Sequence, residues 1–320
     1  MKFYPLQFQP ILKERIWGGT KLKSLLNKPI SSTITGESWE LSTVDGDVSV
    51  VANGDFAGES LTDIINQYPN EILGTKVFRD FGKQFPLLFK YLDAREDLSI
   101  QVHPNDKLAN ERHNSFGKTE MWYVMQADED SNLIVGFKKD SNATEYVENL
   151  KNKTLLSILD TVPVEVGDVF FLETGTVHAI GAGLLIAEIQ QTSDITYRLY
   201  DFDRVDANGN TRELHIDLAL DAINYNRTDA KKSYSKEVNA SNEMVDCNYF
   251  TTNFIPLNGT MNFQKEGKSF QVYMCTEGNF ALEHDGVEYQ YNIGDTFLVP
   301  AAISKYQFSG NASILEIYIK

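Results

Sequence analysis

The sequence has only two cysteines, Cys247 and Cys275, and neither belongs to a CxxC pair. A scaffold of several disulfides and a cysteine-based zinc knuckle are therefore excluded. No segment approaches the roughly 18 uninterrupted apolar residues of a membrane-spanning helix. The first residues also lack the cationic start and apolar centre of a signal peptide. We therefore expect a cytoplasmic protein that does not interact with membranes.

Basic residues are also scarce. Lys and Arg number 29 against 45 Asp and Glu, which gives a formal net charge of −16. This is the wrong sign for a protein that binds nucleic acid phosphates or anionic lipid, so we expect no nucleic acid partner. An anionic substrate would need a locally positive pocket. With 320 residues, 42% of them hydrophobic, the chain is long enough for two domains with substantial cores.

Short runs rich in Val, Ile, Phe and Tyr, separated by Gly, Asn, Asp and Pro, dominate the chain and predict strands. Few runs are separated by a helix of crossover length, so the pattern favours a mainly β fold built as antiparallel sandwiches or barrels. The predicted strands are Ser49–Val51, Phe85–Leu92, Leu98–Val102, Glu120–Met125, Leu133–Phe137, Val169–Leu172, Leu184–Gln190, Phe250–Ile255, Ser269–Cys275, Phe280–Glu283, Val287–Tyr291, Asp295–Val299 and Ile314–Ile319.

Three patches have helical periodicity and predict accessory helices. One covers Leu61 to Tyr68, and the second starts at Asn142. In the third patch Leu214, Leu218 and Ala222 form an i, i+4 stripe, which we expect to pack on a sheet.

The polar stretch from Asn224 to Asn242 predicts a linker between two domains, 1–228 and 240–320. In the second domain we expect turns at Glu277-Gly278-Asn279 and at Asp285-Gly286.

A short repeat connects the two halves. Val166-Gly167-Asp168 and Ile293-Gly294-Asp295 each precede an apolar strand, which indicates a degenerate internal repeat. Alignment of the two turns places His178 opposite Lys305. Any metal should therefore bind in the first copy.

Chemically reactive residue types concentrate in three segments of the first domain. Period-two alternation puts Ser99, Gln101 and His103 on one strand face, and it puts Lys118 and Glu120 together on another. His178 follows the first Gly-Asp turn and its strand. Two imidazoles and a carboxylate form a complete set of ligands for a divalent metal, and an amide oxygen can supply a fourth position.

A fourth segment adds a carboxylate, Glu188, and ten residues later a guanidinium, Arg198. Arg198 could neutralise an oxyanion or a phosphate group.

The motifs QVHPND, KTEMWYV, GTVHAI and EIQQTSDITYR occur in this order along the chain. Together with RIWGG and GESWE near the start, they resemble the type I mannose-6-phosphate isomerases of the cupin superfamily, in their short bacterial form. The resemblance covers nearly the whole chain. It implies two cupin-like β-sandwich or jelly-roll domains with a few accessory helices. Longer members have Lys-Pro-Glu where this chain has Lys118-Thr119-Glu120, and they carry a helical insertion that this chain is too short to contain.

The resemblance also implies one zinc ion per chain and a hexose 6-phosphate substrate. The implied metal ligands are Gln101, His103, Glu120 and His178. Lys118 and Arg198 are implied to lie beside the sugar, and Ser99 and Glu188 are further candidates for the site.

The implied reaction interconverts mannose 6-phosphate and fructose 6-phosphate through a cis-enediol. Zinc would act as a Lewis acid, and Lys118 or Glu188 would move the proton between C1 and C2. Two alternatives stay open from the residues alone. One is a non-haem Fe(II) oxygenase, since two histidines and a carboxylate also form its metal triad, and the other is a non-catalytic sugar-phosphate-binding cupin. The sequence leaves open whether the protein is a monomer or a dimer.

Overall fold

The computed structural model describes residues 2–205 and 209–320, and β-strands dominate it. The strands in chain order are β1 (Leu6–Gln7), β2 (Ile11–Gly19), β3 (Thr35–Leu41), β4 (Thr43–Val44), β5 (Asp47–Val48), β6 (Leu87–Ala94), β7 (Ile100–Val102), β8 (Glu120–Ala127), β9 (Asn132–Phe137), β10 (Leu159–Pro163), β11 (Val169–Leu172), β12 (His178–Ile180), β13 (Leu184–Gln191), β14 (Tyr197–Tyr200), β15 (Lys231–Lys232), β16 (Asn242–Asp246), β17 (Thr251–Gln264), β18 (Gln271–His284), β19 (Val287–Asn292), β20 (Thr296–Val299) and β21 (Lys305–Tyr318).

The helices are short and lie between the strands. They are α1 (Lys21–Ser24), α2 (Leu61–Gln67), α3 (Pro69–Leu73), α4 (Thr75–Phe81), α5 (Asp106–His113), α6 (Ala143–Lys151), α7 (Leu155–Ile158) and α8 (Ile216–Leu220), with a 3-10 helix at Gly54–Phe56. Within the described ranges, none of these helices has the length and apolar character needed to cross a membrane.

Two antiparallel sheets face each other in the first two thirds of the chain. One has seven strands in the order β15-β11-β8-β13-β6-β3-β2, and the other has five in the order β10-β9-β12-β7-β14. Their facing side chains form one apolar cluster, which includes Trp122, Ile180 and Ile186. The predicted mainly β, antiparallel fold is confirmed.

Strand β13 shows how the alternation of side chains directs residues towards this interior. It is buried along its whole length because both of its faces are covered. Leu184 and Ile186 belong to the interior cluster between the two sheets, whereas Leu185, Ala187 and Ile189 belong to a second cluster on the outer face. Period two therefore turns Glu188 into the sandwich interior.

The last third of the chain forms a second seven-stranded sheet, in the order β1-β20-β18-β21-β17-β16 with β19 paired to β18. One face of this sheet encloses an aromatic cluster that includes Tyr273, Phe297 and Phe308. The other face contributes Phe270, Val272 and other residues to the same apolar cluster as Ile189 of β13. A continuous core therefore joins the two parts. The division at 228 and 240 stays a prediction, and strand β1, from the start of the chain, pairs within the C-terminal sheet.

The Gly-Asp repeat predicted from the sequence is present as two turns with the same hydrogen bonds. Gly167 and Gly294 have φ angles of +89° and +88°, which favour glycine. Their amide N–H groups donate to Val124 O and Cys275 O, both at 2.8 Å. In each turn the aspartate carboxylate accepts from the backbone N–H three residues earlier.

Several local predictions were wrong. Ala219 of α8 and Ile223, which follows the helix, are buried, whereas Leu214 and Leu218 are 42% and 36% exposed. The predicted leucine stripe therefore faces solvent, because α8 has only five residues and its burial is set by where it docks. The turn expected at 277–279 is a β-bulge inside β18, since the pairing register shifts between Cys275 and Glu277. The turn at Asp285-Gly286 is confirmed.

Two further segments also differ from expectation. Ser49–Val51 forms isolated bridges at Val50 and Val51 rather than a strand. The predicted linker contains β15, which pairs with β11 at the edge of the first large sheet.

Candidate active site

Three buried side chains meet between the facing sheets. His103 follows β7, Glu120 begins β8 and His178 begins β12. Their candidate ligand atoms all lie within 4.8 Å of one another, and each residue is at most 1% exposed. We refer to these three residues as the triad. Gln101 lies directly opposite His178 in the β7 to β12 register.

Backbone carbonyls fix the tautomers of both histidines. Nδ1 of His103 lies 2.9 Å from Ile195 O, and Nδ1 of His178 lies 2.9 Å from Thr176 O. A carbonyl oxygen only accepts hydrogen bonds, so each Nδ1 carries the hydrogen. In the neutral rings, each Nε2 is left with a lone pair, which is the form that binds metal ions.

The environment keeps both rings neutral at physiological pH. Burial and the positive charge of Lys118 lower the pKa of His178 to about 4. The same two causes hold the pKa of His103 well below its usual value. Neither histidine would need to lose a proton before binding a metal ion at neutral pH.

The triad has two acceptor atoms without a donor. Nε2 of His178 lies 3.3 Å from Oε1 of Glu120, and neither atom has a hydrogen-bond partner among the described residues. Buried polar atoms are rarely left unpaired, because the loss of solvation costs about 1–3 kcal/mol each. Two lone pairs that face each other across a buried gap fit a shared cation, so these residues suit a divalent metal ion.

Lys118 lies against the triad. Its Nζ is 2.6 Å from Oε2 of Glu120 and 3.1 Å from Nε2 of His103. Burial alone would lower the pKa of Lys118, but Glu120 and Glu188 outweigh it and raise that pKa. Burial raises the pKa of Glu120 to about 7 despite the lysine. Lys118 therefore places a positive charge beside the triad.

A row of polar side chains crosses the floor of the site. Glu188 lies opposite Lys90 on β6 and opposite Trp122 on β8. Its Oε1 accepts from Nζ of Lys90 at 3.1 Å, and its Oε2 accepts from Nε1 of Trp122 at 2.9 Å. The Trp122 indole also meets the His178 ring edge to face, with ring centres 5.3 Å apart. Lys90 was not among the predicted site residues, although its place in an alternating strand indicates an inward side chain.

A cleft of about 530 Å³ opens above this floor. Five of the predicted site residues line it: Ser99, Gln101, Lys118, Glu188 and Arg198. Six Lys or Arg side chains and five carboxylates contribute to the lining, so the cleft is not negative although the chain carries −16. The lining sums formally to one positive charge, which is the sign that an anionic substrate requires.

A cluster of arginines forms one end of the cleft. Arg198 on β14 is directly opposite Gln101, and its Nη1 donates to Glu213 O at 2.9 Å. Its Nε is buried and has no partner among the described residues. Arg212 also lines the cleft and forms an ion pair with Asp201, which binds Arg204 as well. Arg212 was missed, since it lies in an irregular loop where no periodicity indicates its direction.

The comparisons with known proteins agree with this geometry. Residues 6–137 match the family described as "Phosphomannose isomerase type I, catalytic domain", and residues 240–319 match "Mannose-6-phosphate isomerase, cupin domain". The chain is 36% identical over 321 residues to the probable mannose-6-phosphate isomerase GmuF of Bacillus subtilis strain 168, which covers 98% of each chain. The chain belongs to the type I phosphomannose isomerase family.

Further relatives extend the match over the full fold of this family. Mannose-6-phosphate isomerase ManA of Bacillus subtilis is 36% identical over 98% of this chain and 99% of its own. The crystal structure of the mannose 6-phosphate isomerase from Bacillus subtilis superimposes with a TM-score of 0.90 at 33% identity, and covers 99% of this chain and all of the other. The cupin fold expected from the resemblance is confirmed.

The buried Lys90 and Glu188 pair generates a stability prediction. Glu188→Gln keeps an oxygen for Trp122 but removes the carboxylate that Lys90 contacts directly, so we expect it to destabilise the protein by about 3 kcal/mol at pH 7. The double variant Lys90→Met, Glu188→Gln should cost less than Glu188→Gln alone, because no buried charge is then left unpaired. Urea unfolding of the three proteins measures both differences.

The pair of Lys90 and Glu188 should also make the stability difference between wild type and Glu188→Gln depend on pH. Burial raises the pKa of Glu188, but Lys90, Lys118 and Trp122 outweigh it and lower the pKa to about 2. Because the unfolded chain binds this proton first, the contribution is complete above about pH 5 and is lost as the pH falls towards 2. A gap between wild type and Glu188→Gln that stayed constant from pH 7 to pH 3 would contradict this assignment.

Proposed function

We propose that the protein is a zinc-dependent aldose–ketose isomerase that interconverts mannose 6-phosphate and fructose 6-phosphate. The observation that carries the proposal is the triad of His103, Glu120 and His178, with two unpaired acceptors, in contact with Lys118, which lines a cleft that is not negative. Family membership gives the substrate class, since the relatives are named for this activity.

In this proposal the metal ligands are His103, Glu120, His178 and Gln101, with one zinc ion per chain. Gln101 supports this because it lies opposite His178 and lines the cleft, where an amide oxygen can complete a four-ligand set. When bound, zinc supplies Lewis-acid polarisation of the substrate oxygens without redox chemistry.

The proton transfer between C1 and C2, through a cis-enediol, needs a group close to the triad. We assign this transfer to Lys118, whose Nζ contacts both His103 and Glu120. Glu120 and Glu188 raise its pKa, but a zinc ion held by the triad would engage Glu120 and add positive charge beside Lys118, which favours the neutral amine that can accept the C2 proton. Glu188 is the weaker candidate, because Lys90 and Trp122 already engage both of its oxygens. Glu188 instead holds those two side chains in place.

The arginine end of the cleft is assigned to the charged part of the substrate. Arg198 has an unpaired buried Nε, which suits an oxyanion or a phosphate oxygen. Ser99 is buried in the cleft wall and is assigned to the sugar hydroxyls. Arg212 extends the positive end of the cleft and is assigned, with Arg198, to the phosphate group.

Proton NMR of the zinc-reconstituted protein with fructose 6-phosphate tests the proposal. We expect the anomeric signals of mannose 6-phosphate to appear without oxygen, to vanish after chelation and to return with zinc. A fully zinc-loaded protein that leaves the substrate unchanged would contradict the proposal. Uptake of oxygen that depends on Fe(II) would then identify an oxygenase, and binding without conversion a sugar-phosphate-binding cupin.

Lys118→Met should lower kcat at least a hundredfold while zinc content stays near one per chain, because it removes the proposed proton-transfer group and none of the four ligands. Lys107→Met changes an exposed lysine of α5 and serves as the matched control. Steady-state kinetics together with metal analysis make the measurement. Normal turnover of a zinc-loaded Lys118→Met protein would remove Lys118 from the mechanism.

Arg212→Met should raise KM for the hexose 6-phosphate about tenfold or more, because it removes a cation from the cleft. Arg204→Met provides a close control, since Arg204 binds the same Asp201 but does not line the cleft. Its KM should stay within about threefold of wild type. Equal effects of the two substitutions would show that Arg212 acts only through Asp201.

A further inference from the structure

The C-terminal sheet reaches the metal-binding segment through one hydroxyl group. Tyr249 lies in the turn between β16 and β17, and its hydroxyl donates to Oδ2 of Asp106 at 2.6 Å. Asp106 is the first residue of α5 and lies three residues after His103. We propose that Tyr249 is a positioning residue that holds the Lys118 segment in its active geometry through Asp106. This inference rests on the function proposed above for Lys118.

Asp106 connects the tyrosine to the segment before β8 that contains Lys118. Its other oxygen, Oδ1, accepts from the backbone N–H of Gly117 at 2.8 Å and from Nε2 of Gln191 at 3.0 Å. The approach at Gly117 is close, because a Cβ there would lie 2.6 Å from the backbone nitrogen of Asp106. The residue before Lys118 is therefore fixed against the start of α5.

Gln191 fixes the residue after Lys118. The backbone N–H of Thr119 donates to Oε1 of Gln191 at 2.9 Å, and Gln191 N–H donates to Thr119 O at 3.1 Å. Lys118 N–H itself donates to Pro104 O at 3.3 Å. Gly117 and Thr119 are thus tied to a small network centred on Asp106, and Lys118 lies between them with its own bond to Pro104.

Tyr249 restrains the network from outside the metal-binding sandwich. A carboxylate held on both oxygens has fewer accessible orientations than one held on a single oxygen. Without the hydroxyl, Asp106 keeps only its contacts to Gly117 and Gln191 and can rotate with them. If Asp106 rotates, Gly117 moves with it and the neighbouring Lys118 is displaced. Such a displacement lowers kcat much more than it changes KM, because the reacting group must lie within hydrogen-bond reach of the proton it moves. The C-terminal sheet thereby gains a role in catalysis without touching substrate.

Tyr249→Phe tests this role because it removes only the hydroxyl. We expect kcat to fall about five- to twentyfold, with KM within twofold of wild type and zinc content unchanged. Tyr234→Phe is the matched control. Tyr234 is also a partly buried tyrosine packed at the C-terminal sheet, and its hydroxyl donates to Gly167 O, outside the Asp106 network. Its kcat should equal that of wild type.

A second measurement does not depend on activity. In Tyr249→Phe the amide hydrogens of Gly117 and Thr119 should exchange at least tenfold faster than in wild type or in Tyr234→Phe. Substitution at Asp106 adds a coupling test, since Tyr249→Phe should have no further effect on kcat in an Asp106→Ala background.

The outcomes separate the two proposals. If the zinc-loaded wild type does not convert fructose 6-phosphate, the proposed function fails, and the exchange experiment still tests the network. If wild type is active and Tyr249→Phe has unchanged kcat and unchanged exchange, the positioning role is overturned. An equal loss of kcat in Tyr234→Phe would also overturn it, because the effect would then belong to the interface in general.

Discussion

The site is organised around the gap between Nε2 of His178 and Oε1 of Glu120. Both atoms are acceptors, both are buried, and they face each other at 3.3 Å without a donor. The carbonyl of Thr176 contributes to this situation, because it accepts a hydrogen bond from Nδ1 of His178 and so leaves Nε2 of that ring without a hydrogen. The fold thus maintains a buried arrangement that is unfavourable unless a cation occupies it. Lys118, which contacts Glu120 and lines the cleft, connects this gap to the substrate side.

The alternation of strands connects this gap to the rest of the protein. In the seven-stranded sheet that contains β8 and β13, alternate side chains point to opposite faces. One set builds the outer core shared with the C-terminal sheet, and the other set places Lys90, Glu120 and Glu188 in the interior. A shift of one residue in register would exchange the two sets. The shared outer core therefore holds the register on which the site depends, and Tyr249 adds a specific contact from the same side of the molecule.

The sequence predicted the strands and the triad well, because period two is a local property and because the metal-binding residue types cluster in a few segments. The sequence did not predict the features that are determined by tertiary contacts. The face of α8 is set by docking, so Leu218 is partly exposed despite its periodic position. Arg212 lies in a loop without periodicity, and Tyr249 meets Asp106 across 143 residues of chain. No pattern within a single segment can predict such a pairing. The ligand roles of the predicted residues, including Gln101, stay predictions.

The most direct test of this account is a crystal structure of the zinc-reconstituted protein with anomalous data collected on both sides of the zinc absorption edge. We predict one strong peak within bonding distance of Nε2 of His103, Nε2 of His178 and a carboxylate oxygen of Glu120, with Lys118 displaced from Glu120 but still beside the triad. A zinc-loaded protein with no peak at the triad, or with its only peak elsewhere, would contradict the account.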